Sequence, residues 1–89
     1  MKNLTAYVKQ KNEWTAIFNG YPMDVRSHEG RKRIAQSIDS ELSPENLTCD
    51  GELPRSQVNA RYRQLTAAAR ELIALDPSTA QYMYEFSEA

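Results

Sequence analysis

A stripe of apolar side chains between residues 56 and 75 constrains the fold of this chain more than any other feature of its sequence. The stripe recurs every three or four residues, the spacing that places side chains on one face of an α-helix, and it consists of Val58, Tyr62, Leu65, Ala69 and Leu72, widened by Ala68 and Ile73. The spacing predicts a long amphipathic helix over residues 56–75. Since 89 residues suffice for only one hydrophobic core, we expect residues 1–89 to form a single small domain around it.

The dipeptide Asp76-Pro77 marks the end of this helix and the start of another. A residue before proline is pushed out of helical geometry, and proline itself suits the first position of a helix. We therefore expect a short C-terminal helix over residues 77–86. It should lie at an angle to the long helix because the link between them is so short.

Alternating apolar residues, which are typical of strands, dominate the N-terminal part of the chain. The alternation occurs three times, in residues 4–8, 14–18 and 21–25. The polar residues 10–13 have the length of a hairpin turn, and Asn19-Gly20 is a strong turn dipeptide because both residues tolerate a positive φ. These signals predict a three-stranded antiparallel meander over residues 3–26, with Trp14 in its middle strand.

A first helix is predicted over residues 28–42. Ser27 precedes it as a candidate N-cap, and an apolar stripe follows at helical spacing, made up of Ile34, Ala35, Ile38 and Leu42. Gly30 is expected to weaken the first turn by somewhat under ~1 kcal/mol relative to alanine. Residues 43–54 contain Ser43-Pro44 and several turn residues, which predict a structured loop with one helical turn. The expected fold class is α+β, in the order β-β-β-α-α-α.

Opposite charges are segregated along the chain, although its net charge is only −1. Residues 1–38 contain seven basic and three acidic residues, whereas residues 39–89 contain four basic and nine acidic residues. Such a division either serves an anionic partner or lets the two halves neutralise each other.

The order of two strands with a central tryptophan, an Asn-Gly turn, a third strand and a helix resembles the N-terminal arm-binding domain of phage integrases. The resemblance covers residues 4–42 and depends on Tyr7, Trp14, Asn19-Gly20, Ile34 and Ile38. It implies a sheet that lies in a DNA groove, with contacts from the outward strand residues Lys9, Lys11, Thr15 and Arg26. Phosphate contacts would also come from the start of the first helix, at Arg31, Lys32 and Arg33. Nucleic-acid binding is one hypothesis, which the acidic second half of the chain does not favour.

Three aromatic residues near the C-terminus favour another hypothesis, in which the chain binds a protein partner or forms a homodimer. Tyr82, Tyr84 and Phe86 alternate at a spacing of two, so one narrow helical face does not bury them all and at least one stays partly exposed. Exposed aromatic side chains are enriched at interfaces, although these three also have the alternative of packing onto the sheet. Arg63 and Arg70 lie opposite the apolar stripe of the long helix and would add rim contacts. The leading hypothesis is a small accessory or regulatory protein that binds through residues 56–75 and 77–86.

Residue types suited to catalysis or metal binding are too few and too scattered to predict an enzyme. Ser27, His28 and Glu29 are consecutive, so their side chains point apart and do not form a catalytic triad. One histidine and one cysteine, Cys49, provide no metal-ligand spacing, and no glycine-rich phosphate loop is present. We expect no enzymatic activity, no cofactor and no small-molecule substrate.

Cysteine usage and the absence of targeting signals lead to an expectation about location. A single cysteine excludes an intramolecular disulfide, which fits a reducing compartment. No signal peptide follows Met1, and no apolar segment has the length of a membrane helix. We therefore expect a soluble cytoplasmic protein without membrane contact.

Overall fold

The structure is a computed structural model that describes residues 2–17, 20 and 22–87. Its elements are four α-helices and two 3₁₀ helices: α1 (Lys2–Ile17), α2 (His28–Glu41), α3 (Pro44–Leu47), α4 (Arg55–Leu75), and 3₁₀ turns at Pro77–Tyr82 and Tyr84–Phe86. No strand occurs in the described residues, so the predicted α+β class with a three-stranded meander over residues 3–26 is wrong. Of the helices described, none is both long and apolar enough to cross a membrane.

α1 replaces the two strands and the polar turn that alternation predicts between residues 4 and 18. No glycine or proline interrupts residues 2–17, and the polar residues 10–13 mostly have high helix propensity, so nothing there turns the chain. The apolar residues also fit a helical period, since Leu4 and Tyr7 are buried and Val8 packs against the core. Alternation over five residues is ambiguous because the same apolar side chains fit both the two-residue period of a strand and the 3.6-residue period of a helix.

An irregular segment over residues 22–27 replaces the predicted third strand. Its position depends on Asn12, whose side-chain amide donates to the Met23 carbonyl at 2.9 Å and whose side-chain oxygen accepts from the Met23 amide at 2.6 Å. One side chain on α1 thereby satisfies both backbone polar groups of Met23 without a neighbouring strand. Phe18, Asn19 and Tyr21, which contribute to the predicted turn and strands, lie outside the described residues.

α2 confirms the helix predicted over residues 28–42. The Ser27 hydroxyl accepts a hydrogen bond from the Gly30 amide at 2.9 Å, as expected of an N-cap. Gly30 is buried, and a Cβ at this position would lie 2.0 Å from the Asp24 carbonyl oxygen. The glycine is therefore required for the close approach of α2 to the preceding segment, and it does not delay the start of the helix.

The hydrophobic core lies between α1, α2 and α4 and is closed by the C-terminal turns. Its buried residues are Leu4, Tyr7, Ile34, Ala35, Ile38, Leu65, Ala68, Ala69, Leu72 and Met83. The first turn of α1 lies beside Glu71 of α4, whose carboxylate accepts hydrogen bonds from the Asn3 and Leu4 amides at 3.2 and 3.4 Å. A carboxylate at a helix N-terminus is favourable because the amides there have no partner within the helix.

α4 confirms the long helix predicted over residues 56–75, but its apolar stripe is fully covered only in the second half. Leu65, Ala69 and Leu72 are buried, whereas Tyr62 is exposed and Val58 is half-buried. α3 confirms the single helical turn predicted within residues 43–54, with proline at its first position. The first half of α4 is therefore less completely packed than the second.

The C-terminal residues form two 3₁₀ helices and not the predicted helix over residues 77–86. Asp76 caps the first of them by accepting a hydrogen bond from the Ser78 amide at 3.1 Å. The chain becomes extended at Met83, with φ −123° and ψ 111°, and this side chain is fully buried. The interruption directs Met83 into the core between the two turns, so burial outweighs the local preference for a continuous helix.

Candidate functional site

A cleft of about 330 Å³ lies between α1 and α4, beside the C-terminal end of α2. Its lining combines three apolar residues with six polar or charged ones: Ala6, Tyr7, Leu65, Asn3, Gln10, Lys11, Glu41, Arg61 and Gln64. Ala68 and Ala69 in the second half of α4 are small and buried, which allows the helices to pack closely there. Arg61 and Gln64, nearer the start of α4, are long and polar, and they line the cleft. The volume is at the small end of the range for ligand sites, roughly 300 to 1,000 Å³.

A hydrogen-bonded cluster of Tyr7, Lys11, Ser37 and Glu41 joins α1 to α2 at one side of this cleft. The Tyr7 hydroxyl donates to a Glu41 carboxylate oxygen, and it lies 2.7 Å from the Ser37 hydroxyl. Because the single phenolic proton points to Glu41, the Ser37 hydroxyl is the donor to Tyr7. Lys11 Nζ pairs with the other Glu41 oxygen at 2.9 Å and lies 5.5 Å from the centre of the Tyr7 ring.

Tyr7 is the group in this cluster whose titration is changed by its surroundings. Burial, and then the hydrogen bond to Glu41, raise the pKa of the Tyr7 phenol far above its usual value. Tyr7 is therefore neutral at physiological pH and acts as a fixed donor. Glu41 is neutralised by Lys11 and by the Tyr7 hydroxyl, so its charge projects little into the cleft.

Arg61 approaches the cleft from α4 and makes one side-chain hydrogen bond to a described residue. Its Nη2 donates to the Asn46 carbonyl at 3.3 Å. Its Nε is buried and has no hydrogen-bond partner among the described residues. Buried donors are nearly always paired in folded proteins, so an unpaired guanidinium nitrogen beside a cleft requires an explanation.

Packing changes how charge is distributed in the molecule. α1 and α4 together contain seven basic and two acidic residues, a net charge of +5 on two helices that pack against each other. The basic residues are Lys2, Lys9, Lys11, Arg55, Arg61, Arg63 and Arg70, and the acidic ones are Glu13 and Glu71. The division between the two halves of the sequence is therefore replaced by a division between this helix pair and the rest of the chain.

Arg31, predicted to contact phosphates, belongs to a structural junction. Its Nε donates to Asp76 at 2.7 Å, and its Nη1 donates to the Val25 carbonyl at 2.9 Å. Asp76 also accepts a hydrogen bond from the Ser78 hydroxyl at 2.7 Å. Hydrogen bonds from Ser78 and then from Arg31 lower the pKa of Asp76 to about 2, so this carboxylate is ionised at neutral pH. The junction joins α2 to the first 3₁₀ helix.

The other residues predicted to bind nucleic acid have partners within the chain, with one exception. The pairs are Lys11 with Glu41, Thr15 with the Lys11 carbonyl, Arg26 with Asp24, Lys32 with the Tyr82 ring and Arg33 with Glu29. Lys9 is exposed on α1 and makes no ion pair with a described residue. The sheet that would present these residues to a DNA groove does not form in the described part of the chain, so the integrase-like arrangement is wrong.

The residues predicted to bind a protein partner divide into a packed and an exposed group. Tyr82 and Phe86 pack against the core, whereas Tyr84 is 84% exposed, which confirms that at least one of the three aromatics stays accessible. Arg63 and Arg70 are exposed on α4. Tyr82 and Phe86 are half-buried, so most of the exposed surface of these three aromatic residues belongs to Tyr84.

Two exposed apolar residues on α1 escaped the sequence-based prediction. Trp14 is 54% exposed and Ile17 is 68% exposed. Asn3, Tyr7 and Gln10 line the cleft, and Trp14 and Ile17 extend the same spacing of three and four residues, so all five share one side of α1. The signal was present in the sequence, but it becomes readable only when residues 2–17 are recognised as one helix.

The described residues contain no group of histidine, cysteine, aspartate or glutamate side chains arranged to hold a metal ion. No family model, no curated protein and no solved structure matches this chain. The residues of the cleft are thus the basis for any statement about function.

Proposed function

We propose that this protein is a non-enzymatic accessory protein that binds a protein partner in the cleft between α1 and α4. The observation that supports this best is the position of the exposed side chains of Trp14 and Ile17, which lie on the same side of α1 as the cleft residues Asn3, Tyr7 and Gln10. We retain α4 as part of the contact surface. The other part of the proposed contact surface is α1, in place of the C-terminal aromatic residues expected from the sequence.

The chemistry of the cleft suits a peptide segment. Asn3, Gln10 and Gln64 offer amide donors and acceptors, which are the groups that complement a peptide backbone. Trp14 offers a large apolar surface with little loss of rotamer freedom, as is common where a partner side chain is buried at an interface. Polar walls and an apolar end are the combination expected for a segment of backbone that contains one anchoring apolar residue.

Two features support the absence of catalysis. The Tyr7 phenol has its pKa raised by burial, away from the range useful for proton transfer at neutral pH. Both carboxylate oxygens of Glu41 already have partners in the cluster, Lys11 and the Tyr7 hydroxyl. A cytoplasmic setting belongs to the same proposal, since Cys49 is an exposed thiol without a disulfide partner.

A peptide-display experiment tests this proposal. Random peptides are selected on the wild-type protein, and their affinities are compared for the double variant W14A/I17A and for the control Y84A, which removes the exposed C-terminal aromatic. We expect W14A/I17A to weaken binding about tenfold or more and Y84A to leave it unchanged. Because all three side chains are exposed, the circular dichroism spectra should stay the same.

Three outcomes would contradict the proposal. If no peptide is selected, the cleft does not bind peptides. If only Y84A loses binding, the partner binds at the C-terminal aromatic residues and not at α1. The third is tight retention on duplex DNA that falls steeply with salt and is lost when Lys9, Lys11 and Arg33 become alanine. That result would support nucleic-acid binding instead, which the net charge of α1 and α4 also permits.

A further inference from the structure

We infer that the cleft recognises an acidic side chain of the bound peptide, and that Arg61 and Lys11 hold its carboxylate. This inference rests on the proposed function and specifies the chemistry of the partner. The site is built from three different helices, since Lys11 belongs to α1, Glu41 to α2 and Arg61 to α4.

Arg61 is the first reason to expect a carboxylate. Its side chain makes one hydrogen bond to a described residue, through Nη2, although a guanidinium has five donors. Its buried Nε lacks an acceptor in the described structure, and the anion of the cleft lining, Glu41, is paired with Lys11 and with the Tyr7 hydroxyl. A carboxylate accepts two parallel hydrogen bonds from one guanidinium, so a small reorientation of Arg61 toward the cleft would pair the donors that are unused.

Lys11 is the second reason, because its ammonium group is held at the cleft and is not fully used. The contact with Glu41 at 2.9 Å and the position over the Tyr7 ring orient Nζ. An ammonium group has three donors, so Nζ retains capacity for a ligand after it has bound Glu41. Glu41 thus acts as a positioning residue for the lysine.

The charge balance favours a ligand group with a single negative charge. Lys11 and Arg61 contribute two positive charges to the cleft and Glu41 contributes one negative charge, which leaves one unit uncompensated. One carboxylate neutralises that charge. The net charge of +5 on α1 and α4 extends the same preference to acidic residues elsewhere in the peptide.

Paired peptides and paired arginine variants test the inference. A peptide obtained by selection on the wild-type protein is synthesised with both termini blocked, together with a version in which each acidic residue is replaced by its amide. Both are titrated by fluorescence anisotropy against the wild type, R61Q and the control R55Q, which makes the same charge change at an exposed position at the start of α4.

We expect R61Q to weaken binding of the acidic peptide about tenfold or more, and R55Q to change it less than about twofold. The amide peptide should bind the wild type and R61Q equally, because it lacks the group that Arg61 holds. R61Q should fold normally, which urea unfolding verifies, since the native guanidinium leaves a buried donor unpaired.

The outcomes separate this inference from the proposed function. If the acidic and amide peptides bind equally, or if R61Q and R55Q have the same effect, the carboxylate site is wrong while peptide binding in the cleft stands. If binding requires an unblocked C-terminus, the carboxylate belongs to the chain end and the side-chain assignment is overturned. If no peptide is selected at all, both conclusions fail.

Discussion

Replacing Gly30 with alanine is predicted to destabilise the protein, although alanine is the better helix former. A Cβ at this position would lie 2.0 Å from the carbonyl oxygen of Asp24 and 2.8 Å from its carbonyl carbon and amide nitrogen. All three are backbone atoms, so rotation of a side chain does not relieve the overlap. Ordinary contact distances require residues 22–27 to move away from α2 by about 1 Å or more.

The expected loss in the free energy of unfolding follows from the interactions that this movement would disturb. The two hydrogen bonds between Asn12 and Met23 hold this segment, and their loss costs about 1 kcal/mol each. Overpacking adds about 1 to 3 kcal/mol, while the higher helix propensity of alanine returns about 1 kcal/mol. We expect G30A to lower the free energy of unfolding by about 2 to 4 kcal/mol, out of a total that is roughly 5 to 15 kcal/mol for a native protein.

Urea unfolding followed by far-ultraviolet circular dichroism measures this difference. The matched control is Q36G, because Gln36 is exposed on the same helix and reports helix propensity alone, with an expected loss of about 1 kcal/mol. If G30A unfolds at the same urea concentration as the wild type, or at a higher one, the close approach of α2 to Asp24 is incorrect.

Three further predictions concern the core and the titrating groups. The pKa of Asp76 is lowered in the folded protein, so the contribution of this carboxylate to stability is complete above about pH 4 and is lost as the pH falls through about 2. The urea midpoint of the wild type should therefore decrease over this interval, and that of D76N should decrease less. Y7F should lower the free energy of unfolding by about 1 to 3 kcal/mol, because it leaves the Ser37 hydroxyl and the Glu41 carboxylate without their Tyr7 partner. In an ultraviolet titration, the variant should also lack the phenol that ionises at the highest pH. M83A should cost about 2 to 5 kcal/mol and Y84A less than about 0.5 kcal/mol, and equal thermal shifts for the two would show that Met83 is not a core residue.

Helices with local start signals could be predicted from sequence. Ser27 caps α2 and Pro44 begins α3, and in α4 an apolar stripe continues over four turns. These determinants act within a few residues of one another, so they are the same in the isolated sequence and in the folded chain.

The N-terminal helix was not predictable from alternation because its apolar residues are few and fit two periods. Leu4 and Tyr7 become buried only when α4 and α2 supply the surfaces that cover them. The absence of glycine and proline from residues 2–17 is the feature of the sequence that favours a helix there.

The sequence by itself determined the helical nature of α2 and α4, the Ser27 cap that begins α2 and the excess of basic residues near the N-terminus. Only the tertiary structure decided which of those charges meet acidic partners and which surround the cleft. The physical reason is distance along the chain: Tyr7 and Glu41 are 34 positions apart, and Arg31 and Asp76 are 45 positions apart. Periodicity and capping act over one or two helical turns, whereas a cleft between helices and its charge balance exist only after distant segments have packed together.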